Sequence, residues 1–289
     1  HILSTLSREM ARGLFQFDAI AEAIKLNVSP IFLSNFTTAI GFLLAAAVQP
    51  ELSDLAQIVV IGLILSFLVA LTWLPLIVLS WLLEFRVGNT ADRKGVTFIA
   101  LCLQRHPNVR IGVLIFSTLL LAGLFVLQLP HLKEFNEFFM LLTVFVGLFW
   151  IMWQSLKLAL LNTMMSVFAL LLSLSTLSVW FDLQAWTALI WLVPLGIIID
   201  DGIHFFSRMA RAKRSVFADN QSAVIYAMAS VARPIWITSW VLLIGLIILL
   251  FSHNTMVKEA AFLTITALIV TTFLILIFIP ALFTSIKKS

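Results

Sequence analysis

Two adjacent acids, Asp200 and Asp201, stand at the end of an apolar run, residues 186–199, that carries no charge. Every other Asp or Glu can be placed in a loop or at a membrane edge, and these two cannot. An ionisable group inside a bilayer costs about 2.5 kcal/mol or more, and it marks a proton or ion pathway by default. Asp200 lies about six residues, roughly 9 Å, from the basic end of its helix. Thr238 and Ser239 lie four or five residues into the next apolar run, or roughly 6–8 Å from the same side. Carboxyls and hydroxyls at one depth can meet across a helix interface, and a hydroxyl serves a carboxyl in either protonation state. Two neighbouring carboxyls repel when both are ionised, so the pair is expected to take up and release a proton.

Each of these residues has a plainer reading. The acids could form a structural polar cluster. Thr238 and Ser239 could bond to their own helix backbone. His204, one turn beyond the acids, could pass protons to the cytoplasm or sit as an interfacial side chain. Pro194 and Gly196, one turn before the acids, would let the helix bend or pack closely. Among other chemistries, no Gly-rich phosphate loop is present, the histidines have no metal-ligand spacing, and no nucleophile–base set appears. No enzyme activity and no cofactor is expected; protons would be the coupling ion.

The elements that must hold these residues follow from composition. The chain is 62% hydrophobic and 11% charged, with a mean hydropathy of +1.10, against about 45–50% apolar and about 25% charged in a soluble domain. An all-α membrane protein is expected, because helices satisfy their own backbone in lipid. Eight apolar segments read as spans: 31–48, 55–82, 109–129, 138–154, 158–180, 184–206, 234–252 and 258–284. The second and last exceed the usual hydrocarbon thickness and should tilt or project. Residues 49–54, 181–183 and 253–257 read as tight turns. Segment 92–107 is basic, with an apolar stretch too short to span, and reads as a helix on the membrane surface. The single cysteine, Cys102, excludes an internal disulfide.

A net charge of +4 could suggest nucleic acid, but the distribution of basic residues argues for membrane orientation and against a nucleic-acid partner. With these spans, all Lys and Arg except Lys133 and Lys258 fall on one side. That side is cytoplasmic by the positive-inside rule and would hold both ends of the chain. Trp180 and Trp186 then lie at the outer edge, and Trp153 and Trp236 at the inner edge, as interfacial anchors.

The chain also matches itself. Residues 1–4 (HILS) resemble 204–207 (HFFS); Ala19 and Ala23 match Ala223 and Ala227; Pro30 matches Pro234; Gly41 matches Gly245; Leu74-Pro75 matches Ile279-Pro280. Both copies keep one orientation, so the repeat is parallel, an arrangement common in secondary transporters. The counterpart of the Thr238-Ser239 stretch is residues 34–38, Ser34, Asn35, Phe36, Thr37 and Thr38. Asn35 is its strongest polar anomaly. The chain opens on His1 rather than Met, and an acidic residue that would partner Asn35 is expected just upstream. Three parts result: 1–85, the end of a first repeat with two spans; 86–108, a connecting segment; and 109–289, a second repeat with six spans.

Residues 196–205 (GIIIDDGIHF), the basic loop after them, 233–239 (RPIWITS) and 34–42 (SNFTTAIGF) together resemble the resistance–nodulation–division superfamily, nearest its MMPL-type exporters of lipids and hydrophobic molecules. The resemblance extends over essentially the whole chain. It implies a twelve-span core in two sets of six, of which this chain would hold spans five to twelve. It implies that Asp200 and Asp201 relay protons with Thr238 and Ser239 assisting, that proton flow drives export, and that the site is a bacterial inner membrane. Membrane lipids and a hydrophobic substrate would be the partners, with self-association or a periplasmic protein besides. The family's large extracytoplasmic domain has no room here; its place holds only residues 128–137, where 129–132 (LPHL) resembles the usual exit sequence. The other class this leaves open is a non-transporting, sterol-sensing-type lipid sensor or an accessory to protein secretion.

Overall fold

Backbone polar groups in long Leu, Ile, Val and Phe runs find partners in oil only within their own chain, which selects helices. The computed structural model describes residues 1–81, 83, 102, 103, 105–128, 136–180, 188–215 and 219–283. Among these, all regular structure is helical and no strand occurs. The helices are α1 (Ile2–Ala11), α2 (Gln16–Val48), α3 (Ser53–Leu71), α4 (Trp73–Ser80), α5 (Pro107–Gln128), α6 (Asn136–Trp153), α7 (Leu156–Trp180), α8 (Ala188–Ser215), α9 (Asn220–Leu249), α10 (Thr255–Phe273) and α11 (Ile279–Phe283). A π-helical turn, Leu274–Phe278, joins α10 to α11.

Among the described residues, five helical stretches are long and apolar enough to cross a membrane: Gln16–Val48, Pro50–Ser80, Leu156–Thr176, Asn220–Leu249 and Thr255–Phe283. The surface segment 92–107 falls mostly outside the described residues. So do most of 128–137, the turn 181–183, Lys133, Trp186 and the side chain of Trp180.

Two boundaries differ from expectation for one reason. The spans expected at 31–48 and 234–252 start at Pro30 and Pro234, yet both prolines lie inside continuous helices, α2 and α9. A proline forfeits one i→i−4 bond, which a long helix tolerates when the freed carbonyl finds another donor. In α9 that carbonyl is Ser230 O, and it accepts from Arg8 Nη1 at 3.3 Å.

The matched prolines near the chain's two return helices also act alike. Ahead of Pro75 the helix breaks at Thr72, between α3 and α4. Ahead of Pro280 it widens into the π-turn. In each case the irregularity falls within the turn whose bond the proline removes.

The centre of the molecule is α8, which packs against α2, α7, α9 and α10. Its side chains Leu195, Ile198, Ile199, Ile203, Phe205 and Phe206 are fully buried. The hairpin of α2 and α3 lies outside, and 6% of the α3–α4 span is buried against 67% of the α7 span. The apolar residues on that outer face, such as Ile58 and Leu65, are those a lipid chain would cover. Trp153 departs from its expected place at a membrane edge. It is 4% exposed, stacks on Phe149 and donates to Ser207 Oγ at 2.9 Å, so its indole N–H is used inside the protein. Trp236 is half exposed, as an interfacial anchor would be.

Candidate functional site

Neighbouring residues on a helix diverge by about 100°, so Asp200 and Asp201 point into different interfaces of α8. Asp201 is 2% exposed and faces the second copy of the repeat. Its Oδ2 accepts from Ser239 Oγ of α9 at 3.0 Å and from Thr272 Oγ1 of α10 at 3.2 Å. The two hydroxyls lie 3.0 Å apart, and Ser239 Oγ also reaches Ile235 O at 2.8 Å. The triangle of carboxylate and hydroxyls therefore offers its protons more than one acceptor.

Asp200 faces the first copy. Ser34 of α2 lies beside its carboxyl group, close enough to act on it. Its Oδ1 lies 3.6 Å from His204 Nε2 and has no hydrogen-bond partner among the described residues. His204 is 4% exposed, so it is an interior residue and not an interfacial one. Its ring stacks on that of His1, with centroids 3.6 Å apart and planes within 1°. These two histidines are the matched pair of the repeat, and they meet where the copies join.

The α2–α8 crossing that brings Ser34 to Asp200 depends on two glycines. A Cβ on Gly41 would stand 2.8 Å from Leu192 O, and one on Gly196 would stand 3.2 Å from the Thr38 Cα. Thr38 Oγ1 donates to Gly196 O at 3.0 Å across the same contact. Gly196 thus serves close packing; Pro194 lies within α8, which runs on through it. Gly245 does not behave like its match Gly41. No atom lies within 4 Å of a Cβ there, because its face of α9 is exposed.

Three further side chains turn away from the acids. Thr238 Oγ1 donates to Pro234 O and Ile235 O of its own helix, both at 3.0 Å, so the plainer reading holds for it, whereas Ser239 reaches both its own backbone and Asp201. Thr37 Oγ1 donates to Ser34 O at 2.9 Å. Asn35 Nδ2 donates to Leu63 O of α3 at 3.3 Å, within its own hairpin.

The structure adds Thr272 and Asn162, which were not singled out from sequence, and brings in His1, read there only as the repeat match of His204. Asn162 of α7 is buried, and its amide fills the space a side chain at residue 202 would need, which is why Gly202 follows the acids. Thr272 stands two residues before the π-turn, an irregularity often found beside functional residues. Among the described residues no group of three or more His, Cys, Asp or Glu converges as metal ligands do. Comparison with protein-family models and with curated proteins returned no match.

Proposed function

We propose that this chain is the coupling core of a proton-driven exporter for lipids or other hydrophobic molecules, organised like the resistance–nodulation–division and MMPL-type proteins it resembles. In this reading it crosses a bacterial inner membrane eight times, with its basic loops in the cytoplasm. One observation carries the proposal: Asp201 is buried in the helix packing, Asp200 beside it is 25% exposed with its Oδ1 buried, and among the described residues neither is paired with Lys or Arg. A buried carboxylate is normally matched by a cation. Hydroxyl and imidazole partners instead allow a carboxyl to hold a proton or release it without new neighbours.

The two acids also divide the work between the copies. Asp200, with Ser34 and the two histidines, belongs to the junction between copies. Asp201, with Ser239 and Thr272, belongs to the interior of the second copy. A proton arriving at one acid changes the charge felt by its neighbour, and so couples the two interfaces. Inward proton movement gains about 2.3 kcal/mol per 100 mV, enough to drive a relative motion of packed helices.

Export of a fluorescent hydrophobic probe from inverted vesicles with an imposed pH gradient tests this. Asp200→Asn and Asp201→Asn are each expected to abolish gradient-driven export while the protein stays at wild-type level in the membrane. Unchanged export by both variants would end the reading and leave the lipid-sensor class standing.

A further inference from the structure

Beyond the acids, at the basic end of α8, lies a second polar cluster that the proton reading does not use. Arg208 is seven residues past Asp201, roughly 10 Å along the axis, and only 2% exposed. Its Nη2 donates to Thr5 Oγ1 of α1 at 3.1 Å and to Asn27 Oδ1 of α2 at 3.0 Å. Asn27 Nδ2 in turn donates to Thr5 Oγ1 at 3.0 Å and to Ala23 O at 2.7 Å. Every one of these acceptors is neutral.

Arg8 of α1 and Arg211 of α8 are neighbouring cations whose charges act on Arg208, opposed by the Glu9 carboxylate of α1. The Arg8 side chain is 13% exposed. Nη1 is taken by Ser230 O of α9 and Nε by Glu9 Oε1, both at 3.3 Å. Glu9 is already shared: Arg12 Nη1 donates to both of its oxygens, at 3.0 and 3.1 Å. One carboxylate therefore serves two guanidinium groups, and Arg208 is left with neutral partners.

Two donors remain unused. Arg208 Nη1 and Arg8 Nη2 are buried and have no hydrogen-bond partner among the described residues. A buried guanidinium N–H without an acceptor is costly, and a like charge one helical turn from Thr5, on which Arg208 rests, adds repulsion. Arginines near a helix end usually extend to water, whereas this pair is held inward by Thr5, Asn27 and Ser230. Spare N–H groups on two fixed guanidinium forks suit a tetrahedral oxyanion, which accepts from several directions and brings the missing negative charge.

We propose that Arg8 and Arg208 form a phosphate-binding site at the junction of α1, α2, α8 and α9, taking the phosphate group of a lipid headgroup or of a soluble phosphate. The site joins both copies of the repeat, so its occupation stiffens the same interface that the histidine stack crosses. It does not depend on proton transport, and its test involves no transport.

The test is the thermal unfolding midpoint of the full chain in a neutral detergent, followed by tryptophan fluorescence. Inorganic phosphate is compared with chloride at equal ionic strength, and micelles containing phosphatidic acid with micelles containing diacylglycerol. At about ten-fold excess over its dissociation constant the bound phosphate is expected to raise the midpoint by about 2–4 °C. Arg8 is the less deeply buried of the two; Arg8→Gln is expected to remove that rise, and Arg8→Lys to restore part of it. A rise with phosphatidic acid alone identifies the headgroup; a rise with inorganic phosphate identifies the free anion. Midpoints equal to those of both controls, or an undiminished rise in Arg8→Gln, would overturn the proposal. Arg208→Gln is a second variant, and its failure to fold would leave the Arg8 comparison intact.

Discussion

The hairpin of α2, α3 and α4 and the hairpin of α9, α10 and α11 begin from matching residues and end in different surroundings. Asn35 and Ser239 stand at equivalent places, and each reaches the helix that returns beside it. Asn35 finds only a backbone carbonyl, while Ser239 finds both Thr272 and, directly, the carboxylate of Asp201. Gly41 is pressed against α8, whereas Gly245 faces outward. About half of the α10–α11 span is buried, against almost none of the α3–α4 span. One sequence pattern has thus been put to two uses, and position relative to α8 decides which. A repeat fixes what each copy can do, and the neighbour supplies the chemistry.

The strongest way to break this comparison is at the glycines. Gly41→Ala sets a methyl group against the Leu192 carbonyl, a backbone atom that cannot turn aside. A loss of about 1–3 kcal/mol is expected, as for other overpacked contacts. Gly245→Ala meets no atom and should change stability by less than about 1 kcal/mol, toward a gain, since Ala is the better helix former. Thermal unfolding of the two variants side by side in one detergent reads the difference. Equal losses would mean that the two faces of the repeat are not distinguished as described.

The hydroxyl and amide come next. Ser239→Ala strips one of two donors from a buried carboxyl and is expected to cost about 1–2 kcal/mol, together with most of the gradient-driven probe export. Asn35→Ala leaves Leu63 O with its helical donor, so the cost stays below about 1 kcal/mol and export continues. Vesicle assays on both variants check this pair; loss of export in Asn35→Ala with retention in Ser239→Ala would reverse the assignment of roles.

The smallest expected difference lies at the helix starts. Asp219 caps α9 by accepting from Ser222 N at 2.9 Å, while Phe15 at the start of α2 offers no side-chain cap. The backbone N–H of Ser222 holds the Asp219 carboxyl below its ordinary range. A depressed carboxyl contributes stability that is present above its unfolded-state value and lost as pH falls through the folded one. Acidification should therefore lower the protection factors, taken against the intrinsic exchange rate at each pH, at Asn220 to Ser222 and leave those at the start of α2 unchanged. A parallel loss of protection at both starts would remove the cap from the account.

Much of this was legible in the residues alone. An acid pair in an apolar run, a serine at the same depth and glycines at a helix crossing are signals of type and position, and they need no coordinates. Ser239 could not be separated from Thr238, because two adjacent side chains differ by a helix phase that boundaries good to a few residues do not fix. Thr272 lies among Thr264, Thr266 and Thr271 on an apolar helix, and nothing in that series marks which hydroxyl faces an acid. Asn162 is a lone amide whose importance comes from a glycine on another helix. The two helix starts differ from expectation because a proline inside a long helix need not end it; in α9 the Arg8 side chain supplies a donor to the carbonyl that Pro234 frees.

The face-to-face imidazoles of His1 and His204 constrain how the halves can travel. Flat rings in van der Waals contact glide past one another with little change in attraction, but prising them apart opens a gap that neither water nor lipid fills well. The seam is built like a greased bearing: it favours sliding shear over a hinge that gapes.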